Sequence, residues 1–171
     1  MKCWTHFFIF ITGLLCLSNP VSAQVDSGLY RLAPQIKISK WFKVSSNPEI
    51  QLKGKTVVLE FWATWCNPCV RAIPHLNSLA GKFKSDSVVF ISLTKETSEA
   101  IENFLKVNTM ETFVALDDSG KTNTNFNVKY IPKTFVIDSR GNIAWEGHPG
   151  GLKESILYSI INKNHFTQKE E

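Results

Sequence analysis

The strongest constraint on this chain is a change of hydrophobic period across a pair of cysteines. Residues Thr56 to Trp62 read TVVLEFW, a near-continuous run of β-branched and aromatic side chains, as expected of a central strand buried on both faces. Beyond Cys66, the apolar residues Val70, Ile73, Leu76, Leu79 and Phe83 recur every three or four positions, the period of one helix face. Between the two patterns lies Ala63-Thr64-Trp65-Cys66-Asn67-Pro68-Cys69. A strand hands over to a helix at this point. Cys66 then falls at the helix start, where unpaired N–H groups and the positive dipole end face its sulfur.

That placement has chemical weight because only a thiolate attacks a disulfide. A cysteine with a pKa of about 8.5 is about 3% ionised at pH 7, and lowering the pKa to about 7 raises this to about half. The shift needs about 2 kcal/mol, within reach of a helix terminus plus hydrogen bonds. Cys69 lies one helical turn on, close enough to close a ring with Cys66, and is expected to be the more buried of the two. As a structural staple the pair would close almost no loop and remove little unfolded-state entropy. Reactivity is the better reason for it. Pro68 fits the first helical turn, whereas Pro74 sits deeper, where proline removes a backbone hydrogen bond and kinks the helix.

The amino-terminal residues read as an export signal. Lys2 precedes an apolar run of 11 residues, Phe7 to Leu17, and Val21-Ser22-Ala23 supplies small residues for cleavage after Ala23. The run is shorter than the roughly 20 apolar residues of a spanning helix. An uncleaved anchor and a lipid-modified Cys16, poorly served by the bulky Leu15, are the weaker alternatives. Cleavage would remove Cys3 and Cys16 and leave only Cys66 and Cys69. The expected location is the periplasm or cell envelope, where oxidising conditions prevail. The expected organisation is a signal peptide over 1–23, a flexible leader over 24–34, one domain over 35–163 and a frayed tail over 164–171. The formal charge of +4 is scattered, with no basic run interleaved with aromatics, so nucleic-acid binding has no support.

The rest of the chain alternates strand and helix. Residues 36–44 read as an edge strand or hairpin arm, Ser87 to Leu93 and Phe113 to Leu116 as strands, and the stretch from Thr97/Ser98 to Leu105 as a short capped helix. Lys133 to Ile137 and Ile143 to Glu146 flank the turn Asp138-Ser139-Arg140-Gly141-Asn142, in which Gly141 can take positive φ. Leu152, Ile156, Leu157, Ile160 and Ile161 mark a last amphipathic helix. This order defines an α/β fold with a central mixed β-sheet and helices on both faces.

Two segments together carry a family resemblance. FWATWCNPC, with Pro74 five residues after Cys69, and Tyr130-Ile131-Pro132-Lys133-Thr134-Phe135, with Gly141 beyond it, resemble the two signatures of the thioredoxin superfamily. With the export signal, the chain is most similar to the TlpA/ResA-like, AhpC/TSA-related branch of exported thiol–disulfide oxidoreductases. The resemblance implies a thioredoxin-like fold, Cys66 as the attacking thiol and Cys69 as the resolving one. It also implies a cis bond before Pro132, with the Ile131 backbone held outward for an extended substrate peptide. Glu60, six residues before Cys66, matches a buried acidic position that relays the proton leaving Cys69, and Trp65 and Tyr130 would border the substrate. Implied partners are cysteine-containing proteins, apocytochrome c among the candidates, with a membrane thiol carrier as electron donor. A monomer without metal or organic cofactor is expected.

Three departures stand out. Ala72 replaces a glutamate found in some ResA-like members, Tyr130 is bulky where many relatives are small, and no lysine lies on Ser87–Leu93 to pair with Glu60. The competing readings are weaker. Zinc lacks two further ligands. A Cu(I) metallochaperone has soft thiolates but only His148 as a third ligand. In peroxiredoxins a threonine stands three residues before the cysteine, and Thr64 stands two before Cys66. A redox-dead peptide-binding scaffold would have no use for both cysteines.

Overall fold

A computed structural model describes residues 31–42, 52–84 and 87–167. The expected signal peptide over 1–23 lies outside the described residues, as does most of the leader. Among the described residues, the strands are β1 (Arg31–Leu32), β2 (Lys40–Phe42), β3 (Thr56–Phe61), β4 (Val88–Thr94), β5 (Phe113–Leu116), β6 (Lys133–Ile137) and β7 (Asn142–Gly147). The helices are α1 (Asn67–Lys82), α2 (Ser98–Val107), α3 (Lys121–Asn125) and α4 (Glu154–Thr167). The strands form one mixed sheet in the order β1-β7-β6-β3-β4-β5-β2. Strands β3, β4 and β5 run parallel, and the other pairings are antiparallel.

The apolar run that predicts a doubly buried strand is β3, and all six of its residues are buried. Side chains alternate across a strand, so β3 divides its residues between two layers. Val57, Leu59 and Phe61 join Val89, Ile91, Leu93, Phe126 and Phe135 on one face. Val58 packs with Leu79, Ala80, Leu157 and Ile160 of α1 and α4 on the other, and Trp62 on that same face meets Cys69, Ile73 and Ile101. Each large side chain buried this way contributes about 1.5–3 kcal/mol. The helical stripe expected after Cys66 is the buried face of α1, formed by Cys69, Ala72, Ile73, Leu76, Leu79 and Ala80. His75 adds a link from its Nε2 to the Leu152 carbonyl at 2.9 Å. Pro74 lies inside α1 without ending it, on its exposed face, where the unpaired carbonyl one turn earlier can turn to water.

Several boundaries differ from the sequence expectation. The end of the expected leader is the two-residue strand β1, whose Arg31 and Leu32 stand opposite Ile143 and Asn142 of β7. Its residues are exposed, so no hydrophobic alternation announces it; an ion pair from Arg31 to Glu146 fastens it to β7. Helix α4 continues to Thr167, past the boundary placed at 163, because no proline or glycine interrupts residues 154–167. No described helix is long and apolar enough to cross a membrane.

Between β6 and β7, Asp138 accepts hydrogen bonds from the N–H groups of Arg140 (3.0 Å) and Asn142 (2.8 Å), and Gly141 has φ +87°. A Cβ at Gly141 would meet nothing within 4 Å, so only backbone strain opposes a side chain there. Gly141→Ala should therefore cost about 1 kcal/mol, read as a lower urea midpoint with unchanged redox activity. A midpoint equal to that of the parent would contradict the requirement for positive φ.

Candidate active site

The last ladder bond from β3 toward α1 is Trp62 N–H to the Leu93 carbonyl, at 3.1 Å. The chain then turns, with Cys66 N–H donating to the Ala63 carbonyl at 3.1 Å, and α1 begins. Cys66 is the N-cap of that helix, in an extended conformation (φ −82°, ψ 92°). Its sulfur accepts the Cys69 N–H at 3.3 Å, which satisfies one of the orphan donors of the first turn. Pro68 stands in that turn, where a missing N–H costs nothing. Cys66 and Cys69 form a disulfide, with Cα atoms 5.2 Å apart. Cys66 is 4% exposed and Cys69 fully buried. A partner can approach only the first sulfur.

The Ile131–Pro132 peptide bond is cis. Ile131 and Tyr130 share with Cys66, Trp65, Asn67 and Pro68 the wall of a groove of about 760 Å³. Trp65 is 72% exposed and Tyr130 68% exposed, so two aromatic side chains stand in water beside the disulfide. Exposed large aromatics are candidate binding anchors because their burial is still unspent. Tyr130 thus lines the groove with most of its surface in water.

Glu60 lies at the centre of the sheet and is 2% exposed. Its neighbours across β4 and β6 are Ser92 and Thr134, and it shares the α1 face of β3 with Val58 and Trp62. Ser92 Oγ donates to Glu60 Oε2 at 3.0 Å and lies 2.7 Å from Thr112 Oγ1. Glu60 Oε1, Trp62 Nε1 and Thr134 Oγ1 have no hydrogen-bond partner. Burial pushes the Glu60 carboxyl up to about 8, and the Ser92 hydroxyl lowers it only in part. In place of the lysine missing from β4 stands this one neutral hydroxyl.

A further acidic side chain reaches the redox turn without having been singled out in the sequence. Glu96 Oε2 accepts the Thr64 N–H at 2.6 Å, and Glu96 Oε1 accepts the Thr64 hydroxyl at 2.7 Å. Thr94 Oγ1 donates to the same carboxylate at 3.2 Å. The partners are 32 residues apart, and no spacing rule joins them. His148, the third ligand a copper site would need, accepts the Gly150 N–H through Nδ1 at 3.1 Å. Among the described residues no three His, Cys, Asp or Glu side chains gather as a metal site.

The chain and its fold have clear relatives. The chain belongs to the AhpC/TSA family, whose model matches residues 33–146. Among curated proteins it is 34% identical over 152 residues to the thiol-disulfide oxidoreductase ResA of Bacillus cereus, covering 84% of this chain and 88% of that protein. The ResA of Bacillus thuringiensis subsp. konkukian is 39% identical over the same length and coverage. Among solved structures, one described as a thiol:disulfide interchange protein DsbE from Chlorobium tepidum superposes with a TM-score of 0.64 at 25% identity. That match covers 79% of this chain and 96% of the other. The fold is thioredoxin-like, and thiol–disulfide oxidoreduction is the activity of this chain.

The raised Glu60 carboxyl has a measurable consequence for stability. Between about 4.5 and about 8 the folded protein keeps a proton that the unfolded chain releases. Its contribution to stability is therefore full below pH 4.5 and is lost as pH rises toward 8, by up to about 1.4 kcal/mol per pH unit. Glu60→Gln should remove this slope and exceed the parent in stability at pH 8, by urea denaturation of the oxidised proteins at pH 5 and pH 8. Equal pH dependence in the two proteins would sink the assignment.

Proposed function

We propose that the chain reduces disulfides of exported proteins in the cell envelope, through a mixed disulfide with Cys66. The observation that carries this reading is the bonded Cys66–Cys69 pair at the first turn of α1, with only Cys66 facing a groove. In the reduced protein the Cys66 thiolate attacks one sulfur of a substrate disulfide. A Cys66–substrate disulfide forms, and the other substrate sulfur leaves as a thiolate. Cys69 then loses its proton and attacks Cys66 Sγ, which releases the second substrate thiolate and restores the Cys66–Cys69 disulfide. Two electrons pass from the protein to the substrate.

Each role has its physical support. The positive end of α1 and the Cys69 N–H stabilise charge on Cys66 Sγ. Glu60, on the sheet face that α1 covers, takes the proton from Cys69. A carboxyl raised to about 8 takes a thiol proton at less cost than an ordinary carboxyl would. Trp65 and Tyr130 grip apolar parts of the substrate, while the Ile131 backbone beside cis-Pro132 pairs with it as an extended strand. Asn67-Pro68 between the cysteines is uncharged, which favours a reducing couple. A reductant in an oxidising compartment needs an electron donor, and a membrane thiol carrier fits. The apolar run Phe7–Leu17 and the Val21-Ser22-Ala23 site support export.

The test is insulin reduction with dithiothreitol as donor. Activity should vanish in Cys66→Ser, while Cys69→Ser should accumulate a mixed disulfide because nothing resolves it. Equilibration with glutathione should give a potential near that of thioredoxin, about −270 mV. A value near about −120 mV would make the protein an oxidant, and full activity in Cys66→Ser would overturn the mechanism.

A further inference from the structure

We propose that Glu96 is a positioning residue for thiol–disulfide exchange, holding the Ala63–Cys66 turn in the shape that presents Trp65 and Cys66 to the groove. The ladder between β3 and β4 ends with Trp62 N–H on the Leu93 carbonyl. Continued as a strand, the chain would give its next inward N–H, that of Thr64, to a backbone carbonyl beyond Leu93. The Glu96 carboxylate takes that N–H instead, at 2.6 Å, and takes the Thr64 hydroxyl with its other oxygen at 2.7 Å. Two bonds to one residue fix orientation as well as distance.

The carboxylate is itself anchored. Thr94 Oγ1 donates to it at 3.2 Å, and the Glu96 N–H returns to Thr94 Oγ1 at 3.3 Å. The Thr94 carbonyl accepts the Asp117 N–H at 2.8 Å, so the anchor reaches back to the residue after β5. A side chain thus lets β3 leave the sheet without stranding the Thr64 N–H, and sets where the next two residues, Trp65 and Cys66, emerge. Glu96 also lines the groove. The inference rests on Cys66 being the attacking thiol.

Glu96→Ala removes both bonds to Thr64, whereas Glu96→Gln can keep both, its amide oxygen accepting the N–H and its amide nitrogen donating to the hydroxyl. Thr64→Val removes the hydroxyl bond alone. Glu96→Ala should lower kcat/KM for insulin reduction by about tenfold or more, a loss on the scale of a small misplacement of reacting groups. In the reduced protein its Cys66 alkylation–pH profile should move to higher pH. Glu96→Gln should restore both readouts to within about threefold of the parent, with Thr64→Val between the two. Parent-like alkylation and turnover in Glu96→Ala overturns the proposal. A Glu96→Gln defect as large as that of Glu96→Ala also overturns it, since charge rather than geometry would then be at work. Failure of the underlying mechanism reads differently, as activity surviving in Cys66→Ser.

Discussion

At the β3–α1 junction the backbone stops being satisfied by a sheet and starts being satisfied by a helix, and the reactive sulfur sits on that seam. Burial on both faces fixes β3 through Phe61, so the strand cannot slide without turning its whole apolar set to the wrong layers. The apolar stripe of α1 fixes the helix against the same sheet. With both neighbours immobile, the few residues between them have little freedom. Packing on either side brings Cys66 to the helix N-terminus, and the two bonds from Thr64 to Glu96 span the turn between.

The polar interior beneath α1 is the second constraint. Glu60, Ser92, Thr112 and Thr134 are all buried, in the band of the sheet between the two apolar clusters that α1 covers. Buried carboxyls are expensive unless paired or neutral, and the single bond from Ser92 makes neutrality the cheaper answer. A permanent cation at this point would have locked Glu60 in its charged form. A hydroxyl leaves it able to change state, which the proton transfer proposed for Cys69 would use.

Much of this was legible from residues alone, and the reasons differ by element. Strand β3 and helix α1 announced themselves because their burial is strong enough to impose a clear period. The hairpin was readable because Asp138 and Gly141 have few other uses at such spacing. The cis bond before Pro132 was accessible only through family resemblance, since trans is the ordinary state of an X–Pro bond. Strand β1 gave no signal, because its exposed side chains leave only backbone pairing to hold it. The Glu96–Thr64 contact was equally silent. A glutamate shortly after a strand reads as a solvated charge until the fold brings a turn from 32 residues away against it.

The outer margins of the sheet have a consequence of their own. Among the described residues its two terminal strands, β1 and β2, are two and three residues long, and each carries a basic residue, Arg31 or Lys40. Short, charged borders offer other chains too little ladder to recruit them into a growing stack. For a protein that exchanges disulfides with other polypeptides, that brevity is a safeguard. It can meet them repeatedly without becoming a seed for their precipitation.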